Sequence, residues 1–170
     1  MTNVPTAADV LALGATACFT ITTDHLDNNK HMNVRHFFDA AANALTEVCA
    51  VNGIDPRYIT GRGLTVFTAE QHLRYFSELR LGDSASTHVQ FLARSPKALH
   101  AIVYILNTSR NLVAATFEAV LVHVDMATRH AVEFPDDIAQ NLDRAASAAQ
   151  VTWSAPVCGA MGVGAGRSHL

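Results

Sequence analysis

The spacing of apolar residues changes character three times along the chain. Over residues 15–23, Ala15, Ala17, Phe19 and Ile21 alternate with Thr16, Cys18, Thr20 and Thr22, which predicts a strand. From Val34 the spacing becomes helical. Val34, Phe37, Phe38, Ala41, Ala42, Leu45, Val48 and Cys49 share one side, and Arg35, Asp39, Asn43 and Glu47 the other. Asn33 is suited to cap this helix and Gly53 to stop it, giving a helix over about 33–52. A short helix is predicted over 6–13, ahead of Gly14. The breaker-rich stretch 53–63 reads as a loop. From Leu64 the period returns to two, with Phe67, Ala69, Leu73 and Tyr75 on one face and Thr68, Glu70, His72 and Arg74 on the other. Turns at 81–83, 95–97 and 107–111 separate further strands over 84–94, 98–107 and 112–125. A helix is predicted over 136–149, and 151–170, rich in Gly and Ala, reads as a flexible tail.

This order, one strand, one long helix and four strands joined by short turns, defines an α+β fold. Short turns make the last four strands an antiparallel meander, because parallel neighbours need long crossovers. The helix must lie across one face of a single sheet to bury its apolar side. Near-continuous apolar runs at 101–106 and 119–124 imply that the other face is covered too. No second helix of comparable length is predicted, so a second copy of the chain is expected to cover it, as a dimer. The expected organisation is one domain over 1–150, with its core over about 15–138.

Composition narrows the function by exclusion. Hydrophobic residues make up 49% and charged residues 16% of the 170, with a net charge of −3. Lys and Arg are scattered singly, so neither nucleic acid nor an anionic membrane surface is an expected partner. The apolar runs are short, and Met1-Thr2-Asn3-Val4-Pro5 lacks the charged-then-apolar order of a signal peptide. The three cysteines include no CxxC pair. They read as reduced thiols of a cytoplasmic protein, with Cys18 and Cys49 expected in the core.

The candidate chemistry is concentrated at the entrance to the long helix. The eight residues from Asp24 to His31 hold two Asp, two Asn, two His and a Lys. Asp27, Asn29 and His31 stand at i, i+2 and i+4. A carboxylate held by amides can serve as general base or nucleophile, and a nearby imidazole can orient a carbonyl, a water or a leaving thiolate. The unpaired N–H groups of the helix start can stabilise a developing oxyanion. Any one of these residues is also common in turns and caps; their density favours function. Asp24, His25, Asp27, His31 and His36 do not have HExxH spacing and no distant Cys/His pair joins them, so no metal is expected. His72, His88, His100 and His123 read as half-buried sheet histidines. Glu118, within an apolar run, is either a second acid or the partner of a buried base. There is no GxSxG, P-loop or GxGxxG sequence.

Asp27-x-x-x-His31-Met32-Asn33, followed by Phe37 and a strand carrying Glu70, resembles the signature of hotdog-fold acyl-CoA thioesterases of the 4-hydroxybenzoyl-CoA thioesterase type. Asp27-Asn28-Asn29-Lys30-His31 also resembles the Asp-x-Asn-x-His run of plant acyl-carrier-protein thioesterases. The resemblance covers about residues 15–138. It implies a hotdog fold, one long central helix wrapped by an antiparallel sheet of five or more strands, dimerised so that active sites form between subunits. It implies Asp27 as general base or nucleophile, the N–H groups of Asn33 and Val34 as oxyanion hole, and Asn29 and His31 as positioning groups. No cofactor is implied. Many bacterial members have Gly where Lys30 stands, and Gly permits a backbone shape that Lys resists.

A narrower likeness lies in Thr87–Leu92, Lys97–His100, Ala115–Glu118 and His123–Asp125, which resemble the betainyl-CoA thioesterases of bacterial carnitine breakdown. Such a substrate carries a quaternary ammonium, for which Phe67, Tyr75, Glu70 and Glu118 are candidate contacts. Arg62, Arg74, Arg80, Arg94 and Lys97 are candidates for the CoA phosphates. The expected activity is acyl-CoA thioester hydrolysis. The alternatives are a hotdog hydratase or dehydratase, whose Asp-to-His spacing is typically one residue longer with Pro before the His, and a hotdog protein that binds acyl-CoA without turning it over.

Overall fold

The computed structural model describes residues 4–163. In chain order the elements are α1 (Ala7–Leu11), β1 (Ala17–Thr20), α2 (Val34–Val51), α3 (Pro56–Arg62), β2 (Leu64–Tyr75), β3 (Ser84–Arg94), β4 (Ala98–Asn107), β5 (Leu112–Asp125) and α4 (Asp136–Ala148), with a 3₁₀ turn at Thr23–His25. The strands form one antiparallel sheet in the order β1-β3-β4-β5-β2, so only β3, β4 and β5 form a meander, and the expected four-strand meander is corrected: β2 pairs with β5 and not with β3. The sheet curls around α2, which is the hotdog arrangement.

The long helix begins and ends where its sequence directs. The Asn33 side chain accepts from the Arg35 N–H at 3.0 Å, and Gly53 takes φ +97°, a left-handed conformation that ends the helix at low cost. Phe37, Ala41, Ala44, Leu45 and Cys49 are buried on the helix side of the sheet, against Leu99, Ala101, Val103, Phe117, Ala119 and Leu121. Cys49 is sealed in, and burial pushes its thiol up to about 12. The opposite, outer face carries Ile102, Tyr104, Leu106, Val120, Val122 and Val124, so β4 is buried along its whole length.

The outer face is covered by the chain itself, which corrects the expectation that only a second copy is available to do so. Ala7 and Val10 of α1 pack on Ile102, Tyr104 and Leu106. The Trp153 ring meets Tyr104 edge-on at 5.5 Å, and Met161 and Val163 pack with Val120, Val122 and Val124. Residues 151–163 thus lie as a strap against the sheet; residues 164–170, the rest of the expected tail, lie outside the described residues. A few large apolar side chains within a Gly- and Ala-rich stretch are enough to dock it on an apolar surface.

Three other expectations are revised. The breaker-rich loop contains α3. Asp55 caps it by accepting from the Tyr58 N–H at 2.8 Å, Pro56 opens it, and Gly63 closes it at φ +67°. The first strand is short and lies on the sheet edge, which leaves Cys18 exposed and not in the core. In β2 a bulge at Ala69 shifts the register, since Thr68 pairs with Leu121 but Glu70 with Val120. One extra residue exchanges faces for everything beyond it. Phe67 and Ala69 consequently join Glu70 and His72 on the outer face, while Leu73 and Tyr75 remain on the helix side.

Candidate active site

Residues 24–33 form a small hairpin fastened on both flanks. The Lys30 N–H donates to the Asp27 carbonyl and the Asp27 N–H to the His31 carbonyl, both at 3.0 Å. The turn is closed with Lys30 at φ +65°, the left-handed shape that Gly adopts freely and Lys resists. On the far side the Met32 N–H donates to the Leu79 carbonyl at 2.7 Å, and the backbones of His31 and Arg80 pair. The Asn33 N–H donates to the His25 carbonyl at 2.8 Å. This backbone ladder, together with Met32 buried in the core and Leu26 packed against it, sets where Asp27 and His31 stand relative to α2.

The Asp27 carboxylate accepts from the Asn29 backbone N–H at 2.8 Å. Its Oδ1 lies 3.8 Å from Nδ1 of His31, with the two side chains 23% and 34% exposed. Asn29 thus reaches Asp27 through its main chain. Both polar ends of Asn33 are engaged, its N–H by His25 and its side chain by the helix cap. Of the two N–H groups expected to hold an oxyanion, that of Val34 is the one that the helix start leaves unpaired by construction.

Next to this point a cleft of about 390 Å³ is lined by His31, Met32, Val34, Phe37, Tyr75, Phe76, Ser77 and Glu78. Asp27 does not line it; His31 does, and its Nδ1 is 3.8 Å from the carboxylate. Tyr75 stands with its ring edge-on to Phe37 at 5.2 Å. Met32, Phe76, Ser77 and Glu78 were not anticipated, and their only signal in the sequence is their place beside the hairpin and at the end of β2. Arg80 approaches the cleft through its ion pair with Glu78.

The fold separates the remaining candidates. Phe67, Glu70 and Glu118 lie on the outer face of the sheet, away from the cleft. Glu118, 2% exposed, faces a buried base: its Oε1 is 2.8 Å from Nε2 of His100, and its Oε2 accepts from the Cys158 N–H at 2.7 Å. Arg62 and Arg94 are held by the carboxylates of Asp137 and Asp143, with closest approaches of 2.6 Å in each pair. Arg74 donates to the Pro156 carbonyl at 3.4 Å. His88 and His123 are structural. In each, Nδ1 donates to a carbonyl, Gly14 at 2.7 Å and Val132 at 3.0 Å, and Nε2 accepts from a hydroxyl, Ser86 at 2.8 Å and Tyr58 at 2.7 Å.

A five-stranded antiparallel sheet curled around one long helix, with a polar hairpin at the helix start, defines the class: a hotdog protein. Residues 21–142 match the thioesterase-like superfamily, and the chain belongs to that superfamily. The L-carnitine dehydrogenase/betainyl-CoA thioesterase of Ruegeria pomeroyi is 33% identical over 106 residues, 62% of this chain and 21% of that protein. The protein of the same name from Rhizobium meliloti is 27% identical over 117 residues, 69% of this chain and 23% of its own length. The chain thus spans under a quarter of the length of these relatives. A Staphylococcus aureus protein solved in complex with CoA shares the fold, with a TM-score of 0.79, 21% identity, and coverage of 87% of this chain and 94% of that one. No helix among the described residues is long and apolar enough to cross a membrane.

Proposed function

We propose that the chain is an acyl-CoA thioesterase, and that betainyl-CoA is its substrate class. The observation that carries this is the Asp27 carboxylate held 3.8 Å from His31 at the start of α2, where His31 opens on a cleft. Asp27 either takes a proton from the attacking water or attacks the thioester carbon itself. The carbonyl oxygen becomes an oxyanion facing the Val34 N–H and the positive end of the α2 dipole. Where Asp27 deprotonates water, the C–S bond breaks to give the free acid and the CoA thiolate takes up the proton that Asp27 removed. Where Asp27 itself attacks, breaking the C–S bond leaves an acyl anhydride on Asp27, and a water then hydrolyses it to the free acid and supplies the proton that the thiolate takes up. His31 positions the reacting carbonyl or water.

The aromatic ring of Tyr75, with Phe37 edge-on beside it, provides the surface that a trimethylammonium group favours. That supports the substrate class suggested by the names of the relatives, and it moves the expectation from Phe67, Glu70 and Glu118 to the rings beside the hairpin. Arg80, linked to the cleft by Glu78, is the guanidinium best placed for CoA. A second copy of the chain completes the cleft in this reading, as the resemblance implies. The hydratase reading is disfavoured by the four-residue step from Asp27 to His31 and the Lys that precedes His31. The binding-only reading leaves a carboxylate–imidazole pair beside the cleft with no task.

The test is free thiol release, followed with a chromogenic disulfide, across acyl-CoAs that include betainyl-CoA. The native chain should release CoA, and Asp27→Ala and Asp27→Asn should lose at least about 10²-fold in kcat with folding intact. Release that persists in both variants would remove Asp27 from the chemistry. Binding without release would establish the non-catalytic reading.

A further inference from the structure

Beneath the strap of residues 151–163, on the outer face of the sheet, three donor atoms of different chemistry converge. His72 on β2 lies directly across the ladder from Glu118 on β5, and the strap brings Cys158 over both. A ring nitrogen of His72, a carboxylate oxygen of Glu118 and the Sγ of Cys158 all lie within 4.8 Å of one another. The cluster joins residues 86 positions apart in sequence, so no local spacing motif announces it.

Its surroundings are those of a site built to hold a cation. Glu118 is almost wholly buried. His100 orients it through the 2.8 Å contact of its Nε2 with Oε1, and the Cys158 N–H fixes Oε2 at 2.7 Å. Nδ1 of His72 is buried and makes no hydrogen bond. Buried polar atoms are nearly always paired, and one that is not calls for an explanation, an ion among them. A single proton can bridge only two of the three donors, whereas one metal ion satisfies all of them. Thiolate, imidazole and carboxylate together form a borderline-soft set that suits zinc and not magnesium or calcium, which take oxygen alone.

We propose that His72, Glu118 and Cys158 bind a zinc ion, with water as the fourth ligand and His100 as the group that orients Glu118. Ligand atoms around tetrahedral zinc stand about 3.3–3.8 Å apart. Closing the cluster to that size requires its donor atoms to draw together; Cys158, whose Sγ accepts from the Ala160 N–H at 3.4 Å, lies outside the helices and strands, where such a movement does not disturb the β2–β5 ladder. Binding converts the Cys158 thiol to a zinc-bound thiolate and releases its proton to solvent. No electron is transferred. The ion would fasten the strap to the sheet on the face opposite the cleft, so its binding is separable from thioester hydrolysis.

The test uses the untagged full chain, stripped with a chelator and titrated with Co²⁺ as a spectroscopic substitute for zinc. One equivalent should produce a sulfur-to-cobalt charge-transfer band in the near ultraviolet and intense visible bands of a four-coordinate ion, and zinc should abolish both. Cys158→Ser should lose the charge-transfer band and His72→Ala the intense visible bands, with circular dichroism confirming the fold. Cys18→Ser, which removes the exposed thiol, should keep the whole spectrum. Absence of the charge-transfer band in the native chain, its survival in Cys158→Ser, or its loss in Cys18→Ser would each overturn the proposal.

Discussion

The ring of Tyr75, at the end of β2, meets the ring of Phe37 on the first turns of α2 edge-on, at a centroid distance of 5.2 Å. Tyr75 is 46% exposed, so much of it is open to the cleft that starts at His31. A cationic acyl group lying against that ring would gain a cation–π contact worth about 0.5–2 kcal/mol, which is about 2- to 30-fold in affinity. Tyr75→Leu should therefore raise KM for betainyl-CoA within that range and change kcat little. A neutral acyl-CoA of the same size should be affected much less. Equal loss on both substrates, in steady-state kinetics, would show that the ring contributes only apolar surface.

His88 and His123 make stability depend on pH in a defined window. Burial favours the neutral form of each ring in the folded chain, in which Nδ1 donates to a carbonyl while Nε2 accepts from a hydroxyl. Burial holds both pKa values below the ordinary 6.5, against the smaller opposing effect of the carbonyl contacts. With the folded value depressed, this stability is fully present above pH 6.5. It is lost as pH falls below 6.5 towards the depressed values, because the unfolded chain takes up protons that the folded chain refuses. Asp137 and Asp143, held low chiefly by hydrogen bonds from Arg62 and Arg94, lose their contribution only as pH falls below their ordinary 3.8, beneath the range from pH 6.5 to 5 in which the histidines are followed. Melting temperatures should fall from pH 6.5 to 5. His88→Asn, which keeps a donor for Gly14 but cannot titrate, should make that fall markedly shallower. An unchanged slope would reject the assignment.

Lys30 closes the hairpin that carries Asp27 and His31, in a conformation that costs a side-chain-bearing residue about 1 kcal/mol. Lys30→Gly should remove that strain. The gain is partly offset by the greater freedom of Gly in the unfolded chain, so the net change should be stabilising by less than about 1 kcal/mol. Lys30→Val, β-branched at a left-handed position, should destabilise and lower turnover together. Thermal melts and thiol release on the pair check this, and a Gly variant less stable than the native chain would contradict it.

What the sequence disclosed and what it hid divide along a physical line. The helix start at Asn33, its stop at Gly53 and the hairpins joining β3 to β4 and β4 to β5 were legible because each follows from a local signal: a cap, a left-handed Gly, a short turn between strands. The polar hairpin was legible for the same reason, since its residues are contiguous. The place of β2 was not, because its pairing with β5 and not with β3 is a long-range choice. The faces of β2 were not, because the bulge at Ala69 is decided by pairing with β5 and leaves no trace in the alternation of a mixed strand. That one residue put Phe67 on the side away from Leu73, Tyr75 and the cleft. Helix α3 was signalled by Asp55-Pro56 and Gly63, but the same residues mark loops. The strap was hidden because composition averages over 151–170, whereas docking depends on a few positions, among them Trp153, Met161 and Val163. Glu118 could be read as acid or as partner until the ladder set it beside His100.

Gly53 offers the sharpest test of how the helix is anchored. It stands at φ +97°, and a Cβ there would come within 2.8 Å of Cδ1 of Ile138, a buried residue of α4. Asn141 of the same helix donates to the Asn52 carbonyl at 3.2 Å, so the end of α2 and the first turns of α4 are held as one unit. Gly53→Ala combines a left-handed alanine with an overpacked contact, each costing about 1–2 kcal/mol. The expected loss is about 2–4 kcal/mol by denaturant unfolding. Ile138→Val, which removes the atom that the new Cβ would meet, should itself cost about 1 kcal/mol. In the Gly53→Ala background it should cost less than that or restore stability, because it relieves the contact while the backbone strain stays. Strict additivity of the two changes would mean that α4 already yields at this point, and that the φ of Gly53 alone accounts for the loss.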